Sequence, residues 1–230
     1  MNADTAYHGE LGEQFAALAT DNVHNAHTDR PAMLRLAGDV AGSRVLDIGC
    51  GAGHYGAELL KRGVARFTGV DGSETLLDAA RQRLGDDAIL HRHDLERPLT
   101  FLADRSFDLA VMALVYHHVT ARAQLLAEIR RVLCPGGRLL VSTTHPTGDW
   151  IHFGGSYFAD DHVELPLANS AIRFQRMTLE TFLGELLRAG FTLEELAEPR
   201  ATEEARRVDP ERYEKSRHRP HFLAVALGRP

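Results

Sequence analysis

The sequence predicts an α/β fold, a parallel sheet covered by helices on both faces. Three observations lead there: short apolar bursts bounded by Gly, Pro or Asp, amphipathic stretches between them, and a glycine-rich turn directly after the first burst. The bursts run over 45–48, 67–70, 88–90, 107–112 and 138–142. Each is short and apolar, as a strand buried on both faces is. Helical patterns lie between them, at 55–62, 74–84 and 122–133. In the last of these Leu125, Leu126, Ile129 and Leu133 share one face, and Cys134-Pro135-Gly136-Gly137 ends it. Strands alternating with helices give a parallel sheet. Right-handed crossovers then bring every strand-to-helix loop to one edge, where ligands bind.

The ends of the chain read differently. Helices are expected over Gly9–Ala19 and Pro31–Val40, with Asp29 before Pro31 as a start signal. Residues 146–176 read as irregular and aromatic, with Trp150, Phe153, Tyr157, Phe158 and Phe174. A helix follows over Thr178–Ala189, and 191–193 and 222–227 read as two last strands. The charged stretch Glu198–Arg219, with Pro199 and Pro210, reads as a solvated excursion.

Composition narrows the function classes. The 230 residues carry 26 basic and 32 acidic side chains, a formal charge of −6, and are 44% hydrophobic. That describes one ordinary globular domain. No apolar run approaches the 20 or so residues of a membrane span, and MNADTAYHGE has no secretory pattern, so a cytoplasmic protein is expected. Cys50 and Cys134 are far apart and imply no disulfide framework. Without a Lys/Arg stripe the chain makes a poor nucleic-acid binder.

The chemistry concentrates in Val45-Leu46-Asp47-Ile48-Gly49-Cys50-Gly51-Ala52-Gly53-His54-Tyr55. Gly51 to Gly56 literally spells G-x-G-x-x-G, with Asp71 twenty residues on (71 − 51), the dinucleotide fingerprint. Context argues against it. The glycine at the end of the first strand is Gly49, and an acid, Asp47, stands two residues before it. A carboxylate there repels a pyrophosphate and suits a ligand carrying an amine and a sulfonium. Asp71-Gly72 ends the second strand, where a carboxylate can take two ribose hydroxyls or cap the next helix. Asp94-Leu95 follows the third strand, placed for an exocyclic amine, and Ala113 to His118 follows the fourth.

These motifs resemble the class I S-adenosylmethionine-dependent methyltransferases, in the small-molecule group. The likeness covers about residues 40–145 and continues more weakly through the last strands. It implies a Rossmann-like, seven-stranded, mainly parallel sheet with an antiparallel C-terminal hairpin. It also implies S-adenosylmethionine as cofactor, with Asp47, Gly49, Cys50, Gly51, Gly53 and Tyr55 around the methionine part. Asp71 and Gly72 would hold the ribose, Asp94 and the Leu95 amide the adenine, and the Ala113 carbonyl the amine. Residues 1–43 would form a helical lid, with Tyr7 over the cofactor and Arg30 on its carboxylate. Residues 44–230 would form the catalytic domain, with about 146–176 covering the acceptor. Ala-Leu-Val-Tyr after the fourth strand is unlike the Asn/Asp-Pro-Pro-aromatic run of enzymes that methylate adenine or amide nitrogen. No acidic metal triad is evident, so no metal is expected.

Transfer from a sulfonium chiefly needs alignment; a base is needed only for a protonated acceptor. His145, ending the fifth strand, and His117 and His118, after the fourth, are the candidate bases, with Asp149 and His152 behind them. A zinc site from His145, His152 and His162 fits no common ligand spacing. The expected partner is a small organic acceptor, and the expected state a monomer or homodimer. The competing readings are a nicotinamide-dependent oxidoreductase and a binding module without catalysis.

Overall fold

The computed structural model describes residues 7–167 and 170–230. In it, α1 (Gly9–Leu18) and α2 (Arg30–Ala37) precede β1 (Arg44–Ile48) and α3 (His54–Lys61). Next come β2 (Arg66–Asp71), α4 (Glu74–Leu84), β3 (Ala88–Arg92) and β4 (Phe107–Ala113). The chain continues through α5 (Arg122–Val132), β5 (Leu133–Thr144), α6 (Pro146–Phe153) and a hairpin of β6 (His162–Leu167) and β7 (Ser170–Gln175). It ends with α7 (Leu179–Arg188), β8 (Thr192–Ala197), α8 (Ala205–Val208), α9 (Pro210–His218) and β9 (Phe222–Gly228).

Alternation along the strands divides the core in two. Leu46 and Ile48 of β1, Ala110 and Met112 of β4, and Val225 and Leu227 of β9 face α5 and α7. Val45, Leu109, Val111, Ala224 and Ala226 face the opposite way, onto Leu34, Leu59 and Leu84 of α2, α3 and α4. Both faces are dry, which is why these strands read as nearly continuous apolar runs. The sheet order is β3-β2-β1-β4-β5-β9-β8. The first five strands run parallel, and β9 is antiparallel to both β5 and β8. This is the expected Rossmann-like sheet. Its connections reverse between β1 and β4, the switch point at which such sheets bind ligands.

Three segments differ from expectation. The stretch 146–176 is not irregular at its described residues, which carry α6 and the β6–β7 pair. Pro146 at the first helical turn and a cap from the His145 ring start α6, and histidine is not a usual capping type. The stretch 198–219 is no solvated excursion, because Asp209 caps α9 and Tyr213 is buried with Val23 and Ala205. The second N-terminal helix stops at Ala37, before Val40, and a π-type turn over Asn25–Asp29 leads into it. Asp29 does not cap that helix; its buried carboxylate accepts from the Tyr55 hydroxyl at 2.5 Å. Among the described residues no helix is long and apolar enough to cross a membrane.

Candidate functional site

The turn after β1 is held in shape by β2. The amides of Gly49 and Cys50 both donate to the Val70 carbonyl, at 2.7 and 3.0 Å, and Gly51 N donates to Asp71 Oδ2 at 2.9 Å. Gly49, at φ +71°, has Val115 so close that a Cβ would meet its Cγ2 at 2.3 Å. Gly51, at φ +54°, faces open space. One glycine lets the loop after β4 approach, and the other presents bare backbone to a cavity. Gly53 does neither: it sits against Leu84 and Ala80 of α4, where helix packing needs it.

The acids take three distinct environments. Asp71 is 1% exposed, and besides Gly51 N it accepts from Ser73 N at 2.8 Å. Ser73, not Asp71, caps α4. Burial raises the Asp71 carboxyl, and the amides of Ser73, Gly51 and Gly72 hold it back. Asp47 is also 1% exposed, and its Oδ2 is buried without a hydrogen-bond partner. Burial first, and the nearby Asp71 second, push its carboxyl up to about 8. The expected standing negative charge beneath the turn is thus mostly protonated at neutral pH until a cation meets it. Asp94 lies beyond β3, accepts from Glu96 N at 3.1 Å, and stays below the usual carboxylate range. Neither Asp94 nor the buried Leu95 is on the cavity wall.

A cavity of about 600 Å³ opens at this edge of the sheet. Its first end holds Gly49, Cys50, Gly51, Asp71 and Ala113. Tyr7 roofs it, stacked on Phe15 at 4.2 Å and edge-on to His118 at 6.2 Å. The Ser73 hydroxyl donates to the Tyr7 carbonyl, and Gly9 N donates to Thr75 Oγ1 at 3.0 Å, so α1 is pinned over α4. Arg30 reaches the wall beside the Tyr55 ring, 5.9 Å from its centroid. Its Nη2 donates to Ala19 O at 2.8 Å, while Nε is buried without a partner.

The loop after β4 is strained and braced. Leu114, a wall residue, is at φ +56°, with its amide on Ser142 O at 3.0 Å. A non-glycine residue held there costs of order 1–3 kcal/mol, and such strain clusters at functional sites. The bracing comes from Tyr116, whose hydroxyl donates to Glu185 of α7, and from Arg122, whose Nε and Nη2 donate to the same carboxylate at 2.7 and 3.0 Å. Between these anchors His117 and His118 face the cavity. His117 Nδ1 pairs with Thr143 Oγ1 at 3.0 Å and His118 Nδ1 with Arg173 O at 3.3 Å. Burial holds His117 well below its ordinary pKa and His118 at about 4.

His145 stands elsewhere. Its Nδ1 accepts from Thr147 N at 3.1 Å and its Nε2 meets Glu198 Oε1 at 3.0 Å, so both ring nitrogens are engaged off the cavity wall. The expectation of a base at His145 does not match this placement, whereas Asp149, four residues on, does line the cavity. Asp149 accepts from Thr144 Oγ1 at 2.6 Å, and burial lifts its carboxyl to about 6. Among the described residues no cluster of His, Cys, Asp or Glu could hold a metal ion.

The second end of the cavity was not foreseen. His24 and His221 meet there at 4.9 Å between ring centroids, their planes tilted by 40°, and Arg212, Lys215 and Arg219 share the wall. Burial holds His24 at about 4 and lowers His221. His54, also on the wall, keeps an unpartnered Nε2 and is held at about 4 by burial.

Comparison with known proteins agrees with this geometry. A family model described as a methyltransferase domain matches residues 46–141. Methyltransferase GfsG of Streptomyces halstedii is 33% identical over 156 residues, 59% of this chain and 55% of the relative. A demethylmenaquinone methyltransferase of Thermotoga maritima is 32% identical over 164 residues, covering 63% of this chain and 69% of that protein. The chain spans about half the length of the first curated relatives it matches. Among solved structures, an S-adenosylmethionine-dependent methyltransferase of Mesorhizobium loti superposes with a TM-score of 0.71 and 29% identity, over 86% of this chain and 96% of that one. With the glycine turn, the acids near the ends of β1 and β2, and the sheet order in agreement, the chain belongs to the class I S-adenosylmethionine-dependent methyltransferase family.

Proposed function

We propose that this chain binds S-adenosylmethionine and moves its methyl group to a small organic acceptor. The observation that carries the reading is one cavity at the switch point of the sheet, joining a carboxylate-flanked glycine turn to a second end lined by aromatic and basic side chains. The residues fit the cofactor. Gly51 offers backbone with no side chain in the way, and Asp47 Oδ2 is a buried acceptor without a donor, which an ammonium would relieve. Asp71 is fixed by backbone amides, and a carboxylate has lone pairs beyond those to accept ribose hydroxyls. A relative named for demethylmenaquinone supports a small organic acceptor here as well.

When bound, the cofactor supplies a methyl carbon already activated by its sulfonium. Asp47, from beneath the turn, and the Ala113 carbonyl hold the amine; Arg30 takes the carboxylate and Asp71 with Gly72 the ribose. Asp94 and the Leu95 amide, expected to take the adenine, lie off the cavity wall, beyond β3. Cys50, Gly53 and Tyr55 keep the turn and α3 in register, and Tyr7 with α1 excludes water from above. Where the acceptor must lose a proton, Asp149 is best matched on the wall, since a base works best with a pKa near the working pH. His117 and His118 remain second candidates, kept neutral by burial. His145 caps the helix that presents Asp149, and so positions it.

Calorimetric titration with S-adenosylhomocysteine and NADH tests the binding half, and release of S-adenosylhomocysteine during incubation with small-molecule pools tests the transfer. Tighter binding of S-adenosylhomocysteine is expected. Tighter binding of NADH would return the literal G-x-G-x-x-G reading, and binding without turnover on any pool would leave a module that holds the cofactor only.

A further inference from the structure

The two ends of the cavity lie far apart on the sheet. Gly49 follows β1, while Phe222 begins β9 and pairs with Thr144 at the carboxyl end of β5. In the order β1-β4-β5-β9 these strands are three spacings apart, about 14 Å. The far end is built by α9, by residues 219–222 and by α6, whose Gly148 lies against the Pro220 carbonyl.

The charge there is one-sided. Arg212, Lys215 and Arg219 all line the cavity, with neutral imidazoles of His24 and His221 and the amides of Asn22 and Asn25 as further donors. The cations are weakly committed. Arg212 faces Asp209 at 3.3 Å and Lys215 faces Glu211 at 2.6 Å, both exposed pairs of little strength. The ion pairs of α9 among the described residues join Arg212 to Asp209, Lys215 to Glu211 and Arg217 to Glu214, and Arg219 takes part in none of them. Asp149, bonded to Thr144 at the end of β5, sits one strand nearer the glycine turn than Phe222 of β9. His221 keeps a buried Nε2 without a partner. The apolar part of the wall includes Phe222, edge-on to His24 at 6.0 Å, and Phe153, edge-on to Phe174 at 5.9 Å beside His117.

Building on the methyltransferase reading, we propose that the acceptor is an organic anion, a carboxylate or phosphate ester with an apolar body. Its charged group is seated by Arg219, Arg212 and Lys215 at the far end, remote from the atom that receives the methyl. Arg219 stands first because its guanidinium enters none of those ion pairs and can meet an oxyanion with two parallel N–H donors. The aromatic wall carries the body, and the length of the cavity sets the spacing between handle and nucleophile.

The test uses the full chain saturated with S-adenosylhomocysteine, titrated calorimetrically with 4-phenylbutyrate, phenyl phosphate and the neutral 4-phenylbutyramide. At low salt at least one anion is expected to bind about tenfold tighter than the amide, with the gap closing as salt rises. The triple variant R212Q/K215Q/R219Q is expected to lose that preference while keeping its affinity for S-adenosylhomocysteine. The stronger anion identifies the group as carboxylate or phosphate. Equal binding of amide and anions, no binding of any probe to about 10 mM, or a preference that survives the triple variant overturns the proposal. Failure of S-adenosylhomocysteine to bind in the first place overturns the cofactor reading instead, so the two failures are separable.

Discussion

Asp71 accepts from the amides of Gly51 and Ser73, so one carboxylate ties the glycine turn to the start of α4. Asp71→Ala is expected to weaken S-adenosylhomocysteine binding by about 1–3 kcal/mol, the cost of leaving polar groups without partners. Unchanged affinity in a titration would take Asp71 out of the ribose site. Asp149 and His145 separate chemistry from positioning. Asp149→Asn removes the proposed base and keeps the shape, so kcat on a hydroxyl or ammonium acceptor should fall by about 10²-fold or more. The melting temperature should stay level or rise, because burial already disfavours the ionised form. His145→Ala loses the cap of α6 and its contact with Glu198, about 1 kcal/mol of stability. It should lower the melting temperature and blunt kcat through Asp149, with cofactor affinity unchanged. If kcat falls as far in His145→Ala as in Asp149→Asn while the melting temperature holds, the base is His145 after all.

At the scale of elements, the loop after β4 depends on α7. Glu185 receives Tyr116 and both arms of Arg122, whose side chain is 10% exposed against 23% for the glutamate. Glu185→Ala takes away the countercharge of Arg122 and leaves only the bonds of its Nη1 to Val119 O and Gln175 Oε1. Breaking a fully buried pair costs 3–5 kcal/mol, and partial exposure brings the expected loss to about 2 kcal/mol in denaturant unfolding. The turn carrying His117 and His118 should loosen with it, seen as faster amide exchange at 116–118; protection equal to wild type would show that Leu114 and Ser142 hold the loop alone. The same elements show what a sequence can and cannot disclose. Strands such as 45–48 and 107–112 were legible because both faces are buried, so all but Asp47 and Asp108 are apolar regardless of direction. Asp71 could be read by position, at the end of β2 and on the cavity wall, whereas Asp94, also after a strand, lies off that wall. Helix α6 was not, since its cap is a histidine and Gly148 and Trp150 break any apolar period. Helix α9 had a readable start in Asp209-Pro210-Glu211, but its charge masked the single deep anchor, Tyr213. The His24–His221 contact joins residues far apart in sequence, and no local pattern encodes such a meeting.

At the scale of the whole molecule, buried titratable groups of opposite kind set the pH dependence of folding. His24, His54 and His118 are held at about 4, below their unfolded value near 6.5. Between those limits the unfolded chain binds the extra protons, so these residues make stability rise with pH and are lost as acid is added. Asp29 and Asp149, held at about 6, act the other way: the folded chain keeps their protons, and stability falls as pH rises from about 4 to 6. The two sets oppose each other over much of one window. Asp47, at about 8, extends beyond it. From about pH 6.5 to 8 it stays protonated in the fold and ionised in the unfolded chain, so stability should fall there by up to about 1.4 kcal/mol per pH unit. Thermal unfolding of the free protein is expected to show this decline, and Asp47→Asn to flatten it. The same coupling acts on binding. A cationic cofactor beside Asp47 draws it into the ionised form, so S-adenosylmethionine should release close to one proton at pH 7, read from calorimetry in buffers of different ionisation enthalpy. A decline that persists in Asp47→Asn, or cofactor binding without proton release, would place the cation away from this carboxylate and break the link between the glycine turn and its ligand.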